Sequence, residues 1–168
     1  MKPSVYIETS IIGYLTSRIS RDIITAANQQ ITQEWWEDHR GGYDLYVSQY
    51  VLDEVASGNP QAAQKRLQAL NGLPLLTVTE MAGDLAQALI RVGALPTRAG
   101  VDALHMAVAA VSGMNYLLTW NCRHIANAVI RPHIETTCRN YGYQAPVICT
   151  PYELIGWAPP EEESDVEG

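Results

Sequence analysis

Lysine is almost missing from this chain: Lys2 and Lys65 are the only two among 168 residues. A phosphohydrolase built on a carboxylate nucleophile at the end of a first strand needs an aspartate there and a lysine in the pocket, so that chemistry is disfavoured. Cysteine is scarce as well, with Cys122, Cys138 and Cys149 widely spaced and no CxxC pair. An odd number in that spacing supports neither a disulfide framework nor a zinc site, and the expectation is three buried free thiols in a reducing cytosol. No apolar run approaches eighteen residues and a lone Lys2 precedes the first strand. A soluble, cytoplasmic protein without a membrane partner is therefore expected. There is no glycine-rich phosphate loop, no GxSxG, no HExxH and no internal repeat, which removes the common nucleotide-binding, serine-hydrolase and metalloprotease signatures.

Excess positive charge is also lacking. The formal net charge is −7, which at first argues against a nucleic-acid partner. The acids are unevenly placed, however: Glu161, Glu162, Glu163, Asp165 and Glu167 lie in the last eight residues, and residues 1–160 carry a net charge of only −2. If several of the remaining acids hold a cation, the body approaches neutrality. Charge then neither excludes nor supports such a partner.

What is present reads as one domain. With 47% apolar residues the chain is long enough to bury a sizeable core. The organisation expected is a domain over residues 1–157 followed by an acidic, proline-containing, disordered tail at 158–168. Short apolar runs at Val5–Ile7, Tyr43–Ser48, Leu75–Val78, Tyr116–Thr119 and Val147–Thr150 read as strands. Between them, periodic segments at 21–40, 49–57, 60–70, 80–92, 101–111 and 125–141 read as helices. Thr16–Ser20 reads as a polar, mobile stretch, and Trp35–Trp36 as a structural aromatic pair. The alternation points to an α/β fold, a three-layer α/β/α sandwich with a mostly parallel, about five-stranded sheet.

The acids carry the chemistry. Glu8 follows the first strand directly, where ligands gather in open parallel sheets; it reads either as a ligand or acid/base group, or as part of a cap with Thr9 or Ser10. Glu54 lies in the helix after the second strand and is otherwise an exposed residue beside Asp53. Asp102 stands among Val101, Leu104 and Val108, a costly place for an unpartnered carboxylate, unless it caps its helix. Asn121 again lies just past a strand end. Carboxylates crowded at one sheet edge repel unless a cation joins them, and oxygen ligation points to Mg²⁺ or Mn²⁺. His105 shares a helix face with Asp102 and reads as a packed or hydrogen-bonded histidine rather than one touching substrate. Arg98, Arg123 and Arg131 are candidate phosphate contacts or ordinary surface residues.

The stretches VYIETSIIGYL (5–15), SQYVLDEVASG (48–58), GVDALHMAVAA (100–110), TWNCRHIAN (119–127) and ICTPYEL (148–154) resemble, in order, those of the PIN-domain family, which includes the VapC-type ribonuclease toxins of bacterial toxin–antitoxin pairs. The resemblance implies a Mg²⁺- or Mn²⁺-dependent endoribonuclease acting on single-stranded RNA, with an antitoxin partner and a homodimeric state. It places Glu8, Glu54, Asp102 and Asn121 as catalytic and metal-binding residues. Thr9, Ser10, Thr119, Arg123 and His124 fall in supporting or substrate-binding positions. Two departures stand out: Glu8 replaces the usual aspartate, and Asn121 and His124 occupy places where acids are common. The alternative they favour is a catalytically weak or inactive PIN-fold module that binds nucleic acid or a partner.

Overall fold

The computed structural model describes residues 1–155, so the tail expected at 158–168 and the last two residues of the expected domain lie outside the described residues. The sheet has four strands, all parallel: β1 (Ser4–Ile7), β2 (Asp44–Tyr46), β3 (Tyr116–Leu118) and β4 (Val147–Cys149), in the order β2-β1-β3-β4. Tyr6 is in register with Tyr46 on one side and Leu117 on the other. Val5, Tyr6 and Ile7 of β1 and Leu117 and Leu118 of β3 are fully buried, the uninterrupted apolar pattern of strands covered on both faces.

The fifth expected strand, Leu75–Val78, is reduced to a single parallel bridge between Val47 and Leu75. Val47 N donates to the Pro74 carbonyl at 3.1 Å and Leu76 N to the Val47 carbonyl at 2.8 Å, and Pro74 has no N–H of its own to add to the ladder. The sheet therefore has four strands where about five were expected.

Among the described residues seven α-helices surround the sheet: α1 (Thr9–Thr16), α2 (Ile23–Glu34), α3 (Gln49–Val55), α4 (Pro60–Ala69), α5 (Glu80–Arg91), α6 (Gly100–Val111) and α7 (Arg131–Asn140). The chain crosses from β1 outward to β2, then back past β1 to β3 and on to β4. Because such crossovers are right-handed, α1 and α2 lie on one face and α5, α6 and α7 on the other, giving the three-layer α/β/α sandwich, with α3 and α4 packed against α1. The reversal falls between β1 and β3, the switch point where open sheets leave a crevice at the strands' carboxyl ends.

Several elements differ locally from the sequence reading. The helix expected over 21–40 ends at Glu34, and Trp35–His39 forms a π-helical turn followed by a 3₁₀ turn at Arg40–Gly42. The widened turn brings both neighbouring indoles inward, 6.5 Å apart, with Trp35 Nε1 donating to the Leu154 carbonyl at 3.1 Å; the pair is structural, as expected. The Thr16–Ser20 stretch is fastened by Gln29, whose amide accepts from Ser20 N and donates to Arg18 O. The helix expected over 125–141 begins only at Arg131, because Pro132 stands in its first turn, where proline fits. On α4, Leu67 is 40% exposed, while Ala63 is buried, as is Leu70 just after the helix. Of the three thiols expected buried, Cys138 and Cys149 are, and Cys122 is exposed. No helix among the described residues is long and apolar enough to cross a membrane.

Candidate functional site

The backbone fixes the crevice first. Glu8 N donates to the Leu118 carbonyl at 3.1 Å and Thr119 N to the Cys149 carbonyl at 3.0 Å, so the ladder continues one residue past the strand ends. Glu8 and Thr119 thus leave β1 and β3 side by side. Glu8 is buried, with 5% of its surface exposed, and its Oε2 accepts from Ser10 N at 3.0 Å, from Thr119 Oγ1 at 2.7 Å and from Ser10 Oγ. Three donors on one oxygen compensate the burial of the charge. Glu8 is therefore the cap of α1, and the capping and ligand readings are compatible: Oε1 accepts no hydrogen bond from the described residues.

Glu54 reaches the same crevice from α3. Its Oε1 accepts from Thr9 Oγ1 at 2.7 Å and lies 2.5 Å from His105 Nε2, while Oε2 has no hydrogen-bond partner among the described residues. Asp53, its neighbour, bonds along the helix surface to Gln49 instead. Partial burial alone would raise the Glu54 pKa, but the His105 and Thr9 hydrogen bonds and the His105 charge outweigh it and hold the carboxyl below its usual value. One oxygen of Glu8, one of Glu54 and a ring nitrogen of His105 lie within 4.8 Å of one another, the one such group of three acidic, histidine or cysteine ligands among the described residues.

His105 is fully buried on α6. Its Nδ1 is 2.6 Å from the Tyr6 hydroxyl, which is itself 2.6 Å from Ser48 Oγ. Burial, partly countered by the Ser48 hydrogen bond, pushes the Tyr6 phenol far above its ordinary value, so Tyr6 stays neutral.

Asp102 belongs to a second cluster. It is not the cap of α6; Asn121 Nδ2 donates to its Oδ1 at 3.0 Å, and His124 Nδ1 lies 2.8 Å from its Oδ2. Asn121 Oδ1 accepts from His124 N at 3.0 Å, which closes the loop after β3 on itself. Thr119 joins the two clusters: its hydroxyl donates to Glu8 and accepts from Asn121 N at 2.9 Å. Ser10 Oγ accepts from Trp120 N at 2.8 Å. Of the residues singled out from sequence, Glu8, Ser10 and Thr119 form one hydrogen-bonded group, to which Asp102, Asn121 and His124 are joined through Thr119, while Glu54 and Thr9 bond to each other and lie beside Glu8 without a hydrogen bond to it. Arg123 is exposed on the same loop and has no side-chain bond to either.

His105 is the member that the sequence reading kept outside the site. A buried imidazole in a helix three residues from an acid was legible as hydrogen-bonded; its partner Glu54, 51 positions away, was not.

The donor set suits a hard divalent ion. Two carboxylates converge with like charge, and each keeps one oxygen unengaged by the described residues, an arrangement a cation relieves.

No family model matches the chain, and no curated protein matches it. Among solved structures the chain is similar to the crystal structure of VapBC2 from Rickettsia felis bound to a DNA fragment from their promoter. The two are 15% identical over 88% of this chain and 98% of that chain, with a TM-score of 0.49.

Proposed function

We propose that the chain is a Mg²⁺- or Mn²⁺-dependent ribonuclease that hydrolyses phosphodiester bonds of single-stranded RNA, with residues 1–157 as its nuclease domain. The observation that carries this reading is the convergence of Glu8 and Glu54 at the switch point of a parallel sheet, within a chain whose five segments resemble PIN-domain ribonucleases in order. Glu8 and Glu54 are assigned as the ligands that hold the ion. Asp102 and Asn121, joined to Glu8 through Thr119, are assigned to the far side of the same crevice. A bound divalent ion supplies the positive charge that polarises a phosphate and lowers the pKa of an attacking water. Thr9, Ser10 and Thr119 hold the carboxylates in place, and Arg123 and His124 are assigned to the RNA backbone.

By the same resemblance we assign the chain to the toxin side of a cytoplasmic type II toxin–antitoxin pair, working as a homodimer. Ile19, Ile23 and Ile24, each more than two-thirds exposed around the start of α2, supply apolar area for a protein partner.

One observation favours a second reading, a catalytically weak PIN-fold binding module: both oxygens of Asp102 are already engaged by Asn121 and His124. Cleavage of a mixed-sequence single-stranded RNA with Mn²⁺, Mg²⁺ or EDTA separates the two. The ribonuclease reading expects metal-dependent cutting that is lost in Asp102→Ala. Inert protein with no metal uptake by calorimetry leaves the binding module.

A further inference from the structure

Ser48, Tyr6 and His105 are fully buried, and with Glu54 they form an unbroken line of hydrogen bonds at 2.6, 2.6 and 2.5 Å. We infer that this line positions Glu54 for the metal, and that His105 acts as its holder through Nε2–H and is not itself a ligand. The inference rests on the metal-site reading above and assigns a role within it.

The proton at Nε2 follows from donor and acceptor counting. A Glu54 carboxylate only accepts, so Nε2 carries a proton. Behind it Nδ1 pairs with the Tyr6 hydroxyl, and that hydroxyl with Ser48. Every buried group in the line is satisfied with Nε2–H donating to Glu54. Coordination through Nε2 would surrender the Glu54 bond.

Ser48 gives an independent indication. It stands at the N-cap of α3, yet its side chain makes no capping hydrogen bond. A serine there normally bonds the exposed amides of the first turn; here the hydroxyl is turned to Tyr6 instead. The helix that carries Glu54 thus gives up its cap to the line that holds Glu54. With Oε1 fixed by His105 and Thr9, Oε2 is the oxygen presented to the crevice. A histidine donating to a metal-binding carboxylate sets its orientation in the way outer partners do at metal sites.

The test is Mn²⁺ binding by calorimetry together with electron–nuclear double resonance of bound Mn²⁺ in protein labelled with ¹⁵N-histidine. The full chain is compared with His105→Gln, His105→Ala and Tyr6→Phe, each checked for folding by thermal denaturation. His105→Ala is expected to weaken Mn²⁺ about 10–100-fold, the usual effect of losing an outer partner. Gln, which retains an N–H donor, keeps most of the affinity, and Tyr6→Phe falls between. The parent shows no directly coordinated histidine nitrogen. If His105→Ala does not fold, the Gln and Phe variants and the parent spectrum decide. A coordinated ¹⁵N signal, a Gln variant as weak as Ala or Tyr6→Phe, or unchanged affinity in all three overturns the inference while the metal site stands. A parent that takes up no Mn²⁺ overturns both.

Discussion

Glu54 and Asp102 are each held by a histidine and by one further side chain, yet the two holdings differ. His105 is fully enclosed and backed by Tyr6 and Ser48. His124 keeps 18% of its side-chain area exposed, and both partners of Asp102 come from a single loop; the carboxylates run the other way, Glu54 being 40% exposed and Asp102 21%. The first carboxylate is held by side chains from α1 and α6, the latter backed by Tyr6 of β1. The second is fixed by a local turn that closes on itself. Two like charges are brought together at Glu8 and Glu54, and that is where a cation has most to contribute.

Breaking the buried side is expected to have the largest effect. Glu8→Gln keeps the shape but removes a charge that holds the ion. At tenfold per about 1.4 kcal/mol, a loss of several kcal/mol of ion stabilisation lowers RNA cleavage roughly a thousandfold, measured as initial rates with Mn²⁺. Thr119→Val comes next. It leaves Asn121 N without a partner and takes one of three donors from Glu8 Oε2, at about 1–3 kcal/mol, read from denaturant unfolding. His124→Ala on the more exposed side costs about 0–1 kcal/mol by the same measurement. Equal losses for the two would erase the distinction between the clusters.

A pH series sharpens the same contrast. Glu54 has a folded pKa below its ordinary 4.5, so the unfolded chain binds its proton first on acidification. Its contribution is complete above pH 4.5 and is lost as pH falls through the lower folded value. In EDTA, unfolding free energy therefore declines more steeply below pH 4.5 in the parent than in Glu54→Gln. The smallest effect is chemical. Burial pushes the Cys138 and Cys149 thiols up to about 11 and about 12, so in folded protein at neutral pH only the exposed Cys122, beside Asn121, reacts with iodoacetamide.

The acids were legible because each breaks a local pattern: Glu8 ends a buried strand, and Asp102 interrupts an apolar helix. The parallel α/β order was legible from the alternation of apolar runs and periodic segments. What sequence could not supply was pairing across distance. Thr119 bonding Glu8, or His105 bonding Glu54, depends on register between β1 and β3 and on how α6 meets α3. The overextended helix at 125–130 has a nearer cause, since the Asn121 carbonyl takes both Ile125 N and Ala126 N and the Asn127 side chain takes Val129 N. These local bonds compete with helix until Pro132 restarts it.

An anomalous difference map from a Mn²⁺-soaked crystal locates the ion. A peak is expected against the carboxylates of Glu8 and Glu54, with His105 still bonded to Glu54. A peak held by Asp102 and Asn121 alone, or no peak at saturating Mn²⁺, would contradict Glu8 and Glu54 as its ligands.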